Sequence, residues 1–210
     1  MQVIGLTGGI ACGKSTVSGV LRSLGVRIVD GDALSRALTA PNGPALPEIR
    51  RVFGDGVFEP GGTLDRSALG RLVFGHPEAL GRLNDLMRPL LREAIFRAVD
   101  AARDDGEAFC VMDMPLLFEE GLNTLCSRVW CVIAPEEEQI LRLRERNGLS
   151  RDEALARIRS QWPNEKKAAL SDVVIDTDRP IEDTAALVRT LWEKELLFAS
   201  GRSPVSPSAN

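Results

Sequence analysis

Tyrosine is absent from this chain, and aromatic residues of all kinds make up only 5% of it. With so few rings, Trp130, Trp162 and Trp192 are expected to pack rather than to act as stacking platforms. Trp162, in Gln161-Trp162-Pro163 behind a charged helix, is the one best placed for more. Histidine is nearly missing too: His76, ahead of Pro77, stands alone and reads as a helix-entry residue. Cys12, Cys110, Cys126 and Cys131 form no C-x-x-C pair and no Cys/His spacing, which argues against a zinc site. Cys110 and Cys131 sit in apolar runs and read as buried small hydrophobes. An excess of positive charge is also lacking. The net charge of −4 at pH 7 supplies no field for nucleic acid, so an anionic substrate must be met by local clusters. No apolar run is long enough to span a bilayer. The chain opens on a strand-like run rather than a secretory leader, so a cytoplasmic location is expected. Lysine is scarce: only Lys14, Lys166, Lys167 and Lys194 stand among 26 basic residues. Arginine suits bidentate phosphate contacts, and a compositional bias of the genome is at least as good an account of most of the 22.

What is present describes an ordinary folded protein. The 210 residues are 44% hydrophobic and 27% charged, enough for one globular domain with room for an inserted subdomain. Apolar runs at 3–6, 26–29, 108–112, 129–133 and 172–175 read as strands. Helical patterning lies between them, as in an α/β fold with a parallel sheet flanked by helices. Helices are expected at 32–39, at 136–146 before the Asn147-Gly148 stop, and at 181–198. Another should begin at the capping box Ser150-Arg151-Asp152-Glu153. Residues 46–103 read as mostly helical, broken at 54–56 and 60–62, with Asp65 capping a helix from Arg66. Residues 199–210 are Ser/Pro-rich and are expected to be disordered.

Between the first strand and the first helix stands Gly8-Gly9-Ile10-Ala11-Cys12-Gly13-Lys14-Ser15-Thr16. It fits G-x-x-x-x-G-K-[ST], the phosphate-binding loop. The glycines let successive N–H groups turn inward around an anion, and the following helix adds its dipole. Lys14 is expected on the β- and γ-phosphates and the Ser15 hydroxyl on Mg²⁺. Cys12 lies in this loop and reads as a tolerated small side chain, the alternative being a thiol whose pKa the anion-binding surroundings lower. The motif indicates a bound nucleoside triphosphate and leaves kinase, motor, switch and transporter ATPase open.

In parallel α/β sheets ligands bind beyond the carboxyl ends of the strands. That rule selects Thr7 onward, Asp30, Asp113 and Ala134. Asp30-Gly31-Asp32 follows the second strand, and Asp32 and Arg36 share a helical face. The pair offers a carboxylate for an acceptor hydroxyl and a cation for an anionic acceptor, or else a capping Asp and an ordinary i,i+4 ion pair. Asp113 ends the third strand, either as a Mg²⁺ partner or as a turn residue before Pro115. Arg142 and Arg146, four apart, suit a transferred phosphate, or else a solvated face on which Glu138 pairs with Arg142.

Together these residues resemble the dephospho-CoA kinase family over about residues 1–198. The likeness rests on Leu6-Thr7-Gly8-Gly9-Ile10 and the phosphate loop, Asp30-Gly31-Asp32 with Arg36, and Gly62-Thr63-Leu64-Asp65-Arg66 with Leu69. It continues through Leu83-Asn84 before Pro89, Pro115-Leu116-Leu117-Phe118-Glu119, Gln139, Arg142, Arg146, Gln161 and Asp172-Val173-Val174-Ile175-Asp176. The resemblance implies an ATP- and Mg²⁺-dependent kinase acting on the ribose 3′-hydroxyl of dephospho-CoA. It implies a core of about 1–40, 104–143 and 168–198, a helical acceptor subdomain of about 41–103, and a lid of about 144–167. It implies catalytic roles for Asp32, Lys14 and Arg142, and ATP contacts from Gly8 through Thr16 and from Arg146. Thr7, Asp32, Arg36 and Leu116 would meet the acceptor, and Ser15 and Asp113 the metal. The partners are small molecules, and a monomer is the working expectation. The chain departs from the family pattern in three places. It has Arg88-Pro89 for His-Pro, Thr177-Asp178 for Asn-Gly after the last strand, and Ala11-Cys12 for Gly-Ser in the loop.

Overall fold

The computed structural model describes residues 1–74 and 76–199. In chain order the elements are β1 (Gln2–Gly8), α1 (Lys14–Ser23), β2 (Arg27–Asp30), α2 (Gly31–Leu38), α3 (Leu46–Phe53), α4 (Arg66–Phe74) and α5 (Pro77–Asp104). There follow β3 (Phe109–Asp113), β4 (Arg128–Ile133), α6 (Glu136–Asn147), α7 (Arg151–Arg159), α8 (Asn164–Ala169), β5 (Val173–Asp176) and α9 (Ile181–Ala199). The strand order is β2-β3-β1-β4-β5. β1 runs parallel to both β3 and β4, and β4 runs parallel to β5. The central strand is buried from Val3 to Gly8 and β3 throughout, because helices cover both faces of a parallel sheet. That is why these strands read as unbroken apolar runs rather than alternating ones.

Ile4, Leu6, Val111, Trp130 and Val132 from the sheet close on Val17 and Leu21 of α1 and on Val188 and Trp192 of α9. Trp130 and Trp192 therefore pack, as expected; Phe109 meets Trp192 edge-on at 5.0 Å. The Trp130 indole N–H donates to Glu195 Oε1 at 3.1 Å, and Arg128 neutralises that buried carboxylate at 3.3 Å. All four cysteines are free. Burial pushes the Cys126 and Cys131 thiols up to about 12, so neither is a nucleophile.

The chain divides into two compact units, one of Met1–Ile28 with the residues from Glu107 onward, the other Val29–Gly106. The boundary falls within β2. α2, grouped by sequence with core segment 1–40, thus belongs to the second unit. That unit has its own core of Leu38, Ala45, Ile49, Val57, Leu69 and Val73. The stretch read as broken helix becomes α3, α4 and α5, with a 3-10 turn at Asp55–Val57 and one antiparallel bridge between Phe58 and Leu64. α5 runs 28 residues and continues through Pro89. Asp65 caps α4 by accepting from the Ser67 and Ala68 amides at 2.9 Å, and the Ser150 capping box is complete. Of the expected disordered tail, Ala199 ends α9 and residues 200–210 lie outside the described residues. Among the described residues no helix is long and apolar enough to cross a membrane.

Candidate active site

The phosphate loop fills the space between β1 and α1. Gly8 lies opposite Val132 of β4, and a side chain there would collide with the Val132 carbonyl oxygen. Gly13 takes φ 78 to enter α1. Ala11 also adopts a left-handed φ, 60, which costs an L-residue about 1–2 kcal/mol. The neighbourhood holds it there: Ile10 and Ala11 pack on the apolar cluster of Ile140, Leu143 and Ala154. Inside the loop, Cys12 N–H bonds to Gly9 O at 3.1 Å and Thr16 N–H to Gly13 O at 3.0 Å. The amides of Ala11, Gly13, Lys14 and Ser15 have no protein acceptor among the described residues. Four open donors at the start of α1 make a preformed anion site.

Side chains from distant parts of the chain hold that shape. Gln139 of α6, 2% exposed, donates to Ile10 O at 2.5 Å, while Gln161 Oε1 accepts from Ile10 N at 2.9 Å. The Ile10 amide is thereby committed to protein rather than open to a phosphate. Asn164 of α8 bonds to Gln139 Oε1 at 3.0 Å and to Ala134 O at 3.3 Å. Its Nδ2 also lies 3.4 Å from Cys12 Sγ. A methyl at Gly9 would strike Asn164, so that glycine is needed for close approach. Cys12 is the buried small side chain that the sequence favours, not the acidic thiol that was its alternative. Its side chain points into the core rather than toward the anion site, and burial raises its pKa against smaller opposing effects of Asn164 and Arg142.

Arg142 and Arg146 share a helix but not a situation. Arg142 Nη1 donates to Ala11 O at 3.2 Å and to Thr177 Oγ1 at 3.0 Å, and Nη2 donates to Thr177 O at 3.0 Å. Its Glu138 partner is distant, at 3.8 Å. Arg142 is therefore docked on the loop rather than lying on a solvated face. Arg146 is exposed, and among the described residues its Nε bonds only to Asn147 Oδ1, at 2.9 Å.

On the other side of β1, Lys14 forms an ion pair with Asp113, which is 5% exposed at the end of β3. The Ser15 hydroxyl is exposed and has no protein partner among the described residues. Thr7 Oγ1 donates to Pro115 O at 3.1 Å, and so does Lys167 Nζ at 2.8 Å. Lys167, fully buried, also pairs with Glu119 at 2.9 Å, and Glu119 accepts from the Trp162 amide at 3.1 Å. The Trp162 ring is stacked on Phe118, with Lys166 Nζ 3.2 Å from its centroid. Leu116 is 37% exposed. Lys167→Met should lower unfolding free energy by about 3–5 kcal/mol, because Glu119 is left charged and enclosed. Adding Glu119→Leu should recover most of the loss in urea titrations; no recovery would mean the pair is not the cause.

In the second unit, Asp30 is the cap of α2, its Oδ1 accepting from Ala33 N at 2.9 Å. Asp32 and Arg36 are both exposed, and neither forms an ion pair among the described residues. The i,i+4 pair offered by the sequence is thus not made. Arg66 braces this helix end, donating to Thr39 Oγ1 at 2.7 Å and Arg36 O at 3.3 Å. The sequence marks none of Gln139, Asn164 and Thr177 as a support of the loop, nor Lys167 as the partner of Glu119, although Gln139 belongs to the family pattern and Thr177 departs from it.

A phosphate loop after the central strand, an acid closing the strand beside it and an arginine docked on the loop define a P-loop kinase. The family model for dephospho-CoA kinase matches residues 2–183. The chain is 44% identical to the dephospho-CoA kinase of Carboxydothermus hydrogenoformans over 194 residues, 92% of this chain and 94% of that one. The chain belongs to the dephospho-CoA kinase family. Among solved structures it is similar to TT1252 from Thermus thermophilus, with a TM-score of 0.76 and 38% identity over 91% of this chain and 97% of that one. Dephospho-CoA kinase from Campylobacter jejuni gives a TM-score of 0.72 at 26% identity, over 96% and 99% of the two chains.

Proposed function

We propose that the chain transfers the γ-phosphoryl group of ATP to the ribose 3′-hydroxyl of dephospho-CoA, giving coenzyme A and ADP. The observation that carries this reading is the preformed nest of open amides with Lys14 beside it, in a chain of this family. The nest and Lys14 hold the ATP phosphates, and Lys14 exchanges its Asp113 partner for phosphate oxygens. Asp32, exposed and uncommitted, orients and deprotonates the acceptor hydroxyl, while Arg36, with Thr7 and Leu116, meets the acceptor. Arg142 and Arg146 neutralise charge on the moving phosphoryl group. Residues 144–167 act as a lid that excludes water, since a wet site would hydrolyse ATP.

Mg²⁺ suits the residues present. Among the described residues no group of three or more His, Cys, Asp or Glu side chains is arranged as a metal cage. Mg²⁺ in kinase sites asks for only one or two protein oxygens beside phosphate and water. The open Ser15 hydroxyl and the Asp113 carboxylate would hold it, and the ion would offset phosphate charge. Four free thiols suit a reducing compartment, and we place the reaction in the cytoplasm.

The acceptor is tested by coupled measurement of ADP release. Turnover is expected with dephospho-CoA and only background with AMP, gluconate or shikimate. The reverse pattern would overturn the proposal.

A further inference from the structure

We infer that Thr177 is a positioning residue for Arg142, locking its guanidinium against the crown of the phosphate loop from beyond the last strand. Thr177 is 5% exposed and follows β5 directly. Its own amide donates to Ile133 O at 3.0 Å, so its backbone place is set by the end of the β4 ladder. The hydroxyl has one proton to give. Cys12 O, at 2.9 Å, is a nearer acceptor than Ile133 O, at 3.3 Å. Donating to the loop carbonyl leaves the oxygen lone pairs free for Arg142 Nη1 at 3.0 Å, while the Thr177 carbonyl takes Nη2 at 3.0 Å. One residue thus grips the loop with its proton and the arginine with two oxygens. Its methyl side is fitted as well: a Cβ on Gly13 would lie 3.3 Å from Thr177 Cγ2. Three of the five guanidinium N–H groups are held this way or by Ala11 O, and a second Nη2 hydrogen remains for a phosphate oxygen. The arginine can therefore act without leaving its mooring.

The inference rests on Arg142 acting on the transferred phosphoryl group, and the test separates the two. Steady-state kinetics are compared for wild type, Thr177→Val, Thr177→Ser, Arg142→Met and the Thr177→Val/Arg142→Met double variant. All are read at a temperature where their unfolding curves show them folded. Valine keeps the shape and removes the hydroxyl; serine keeps the hydroxyl. Arg142→Met is expected to lower kcat about 10²-fold. Thr177→Val should lower kcat about tenfold with KM for ATP moved less than about threefold, and Thr177→Ser should stay within about twofold of wild type. In the Arg142→Met background, Thr177→Val should change kcat less than about twofold, because its route of action is gone. Equal losses in both backgrounds, or a serine variant as poor as valine, overturn the inference alone. Near-normal turnover of Arg142→Met overturns the role of Arg142 and this inference with it.

Discussion

Asp32→Asn is expected to lower kcat by about 10²–10⁴-fold while leaving ATP affinity close to wild type. Asparagine has the same shape but cannot take a proton from the acceptor hydroxyl. The structure makes this a clean experiment. α2 is capped by Asp30, so changing Asp32 does not unpin the helix. Asp32 is exposed and unpaired among the described residues, so stability should move by no more than about 0.5 kcal/mol. The measurement is ADP release at saturating ATP and dephospho-CoA, beside calorimetric titration with ATP. Turnover near wild type would remove Asp32 from the chemistry. A collapse of ATP binding would place it on the donor side instead.

Lys14→Met is expected to lower kcat/KM for ATP by about 10²–10³-fold, since a charge aimed at the developing phosphate negative charge is lost. The variant has a second consequence. Asp113, 5% exposed, loses the cation that neutralises it, so the ligand-free protein should also lose stability. Adding Asp113→Asn, which also removes a proposed Mg²⁺ partner, isolates the stability effect. The double variant should unfold closer to wild type yet stay inactive. Activity returning together with stability would show Lys14 to be a structural counter-ion only.

The parts of this site that local chemistry dictates were legible early. Glycines at Gly8 and Gly13, with Lys14 and Ser15 next to a helix, can do little else than turn amides toward an anion. The ends of strands locate Asp113 and Asp30 because every parallel strand delivers its last residue to one edge. Capping boxes are equally local, and Ser150 and Asp65 behave as their spacing required. Local chemistry leaves Cys12 two readings, a tolerated small side chain or an acidic thiol; the turn decides for the first by pointing the sulfur into the core, where burial raises the pKa.

The supports of the loop come from distant positions along the chain. Gln139, Asn164 and Thr177 lie 129, 152 and 165 residues from the loop atoms they hold, and no spacing rule reaches so far. The same holds for Arg142: along its helix it faces Glu138, but in the fold it faces Ala11 and Thr177. Lys167 sits among charged residues in the chain and is enclosed only when α8 meets Glu119 and Pro115. Backbone conformation and strand order follow from nearest-neighbour preferences and apolar patterning, which act over a few residues. Which polar side chain answers which is set by proximity in space, and that exists only once the sheet has brought its carboxyl edges together.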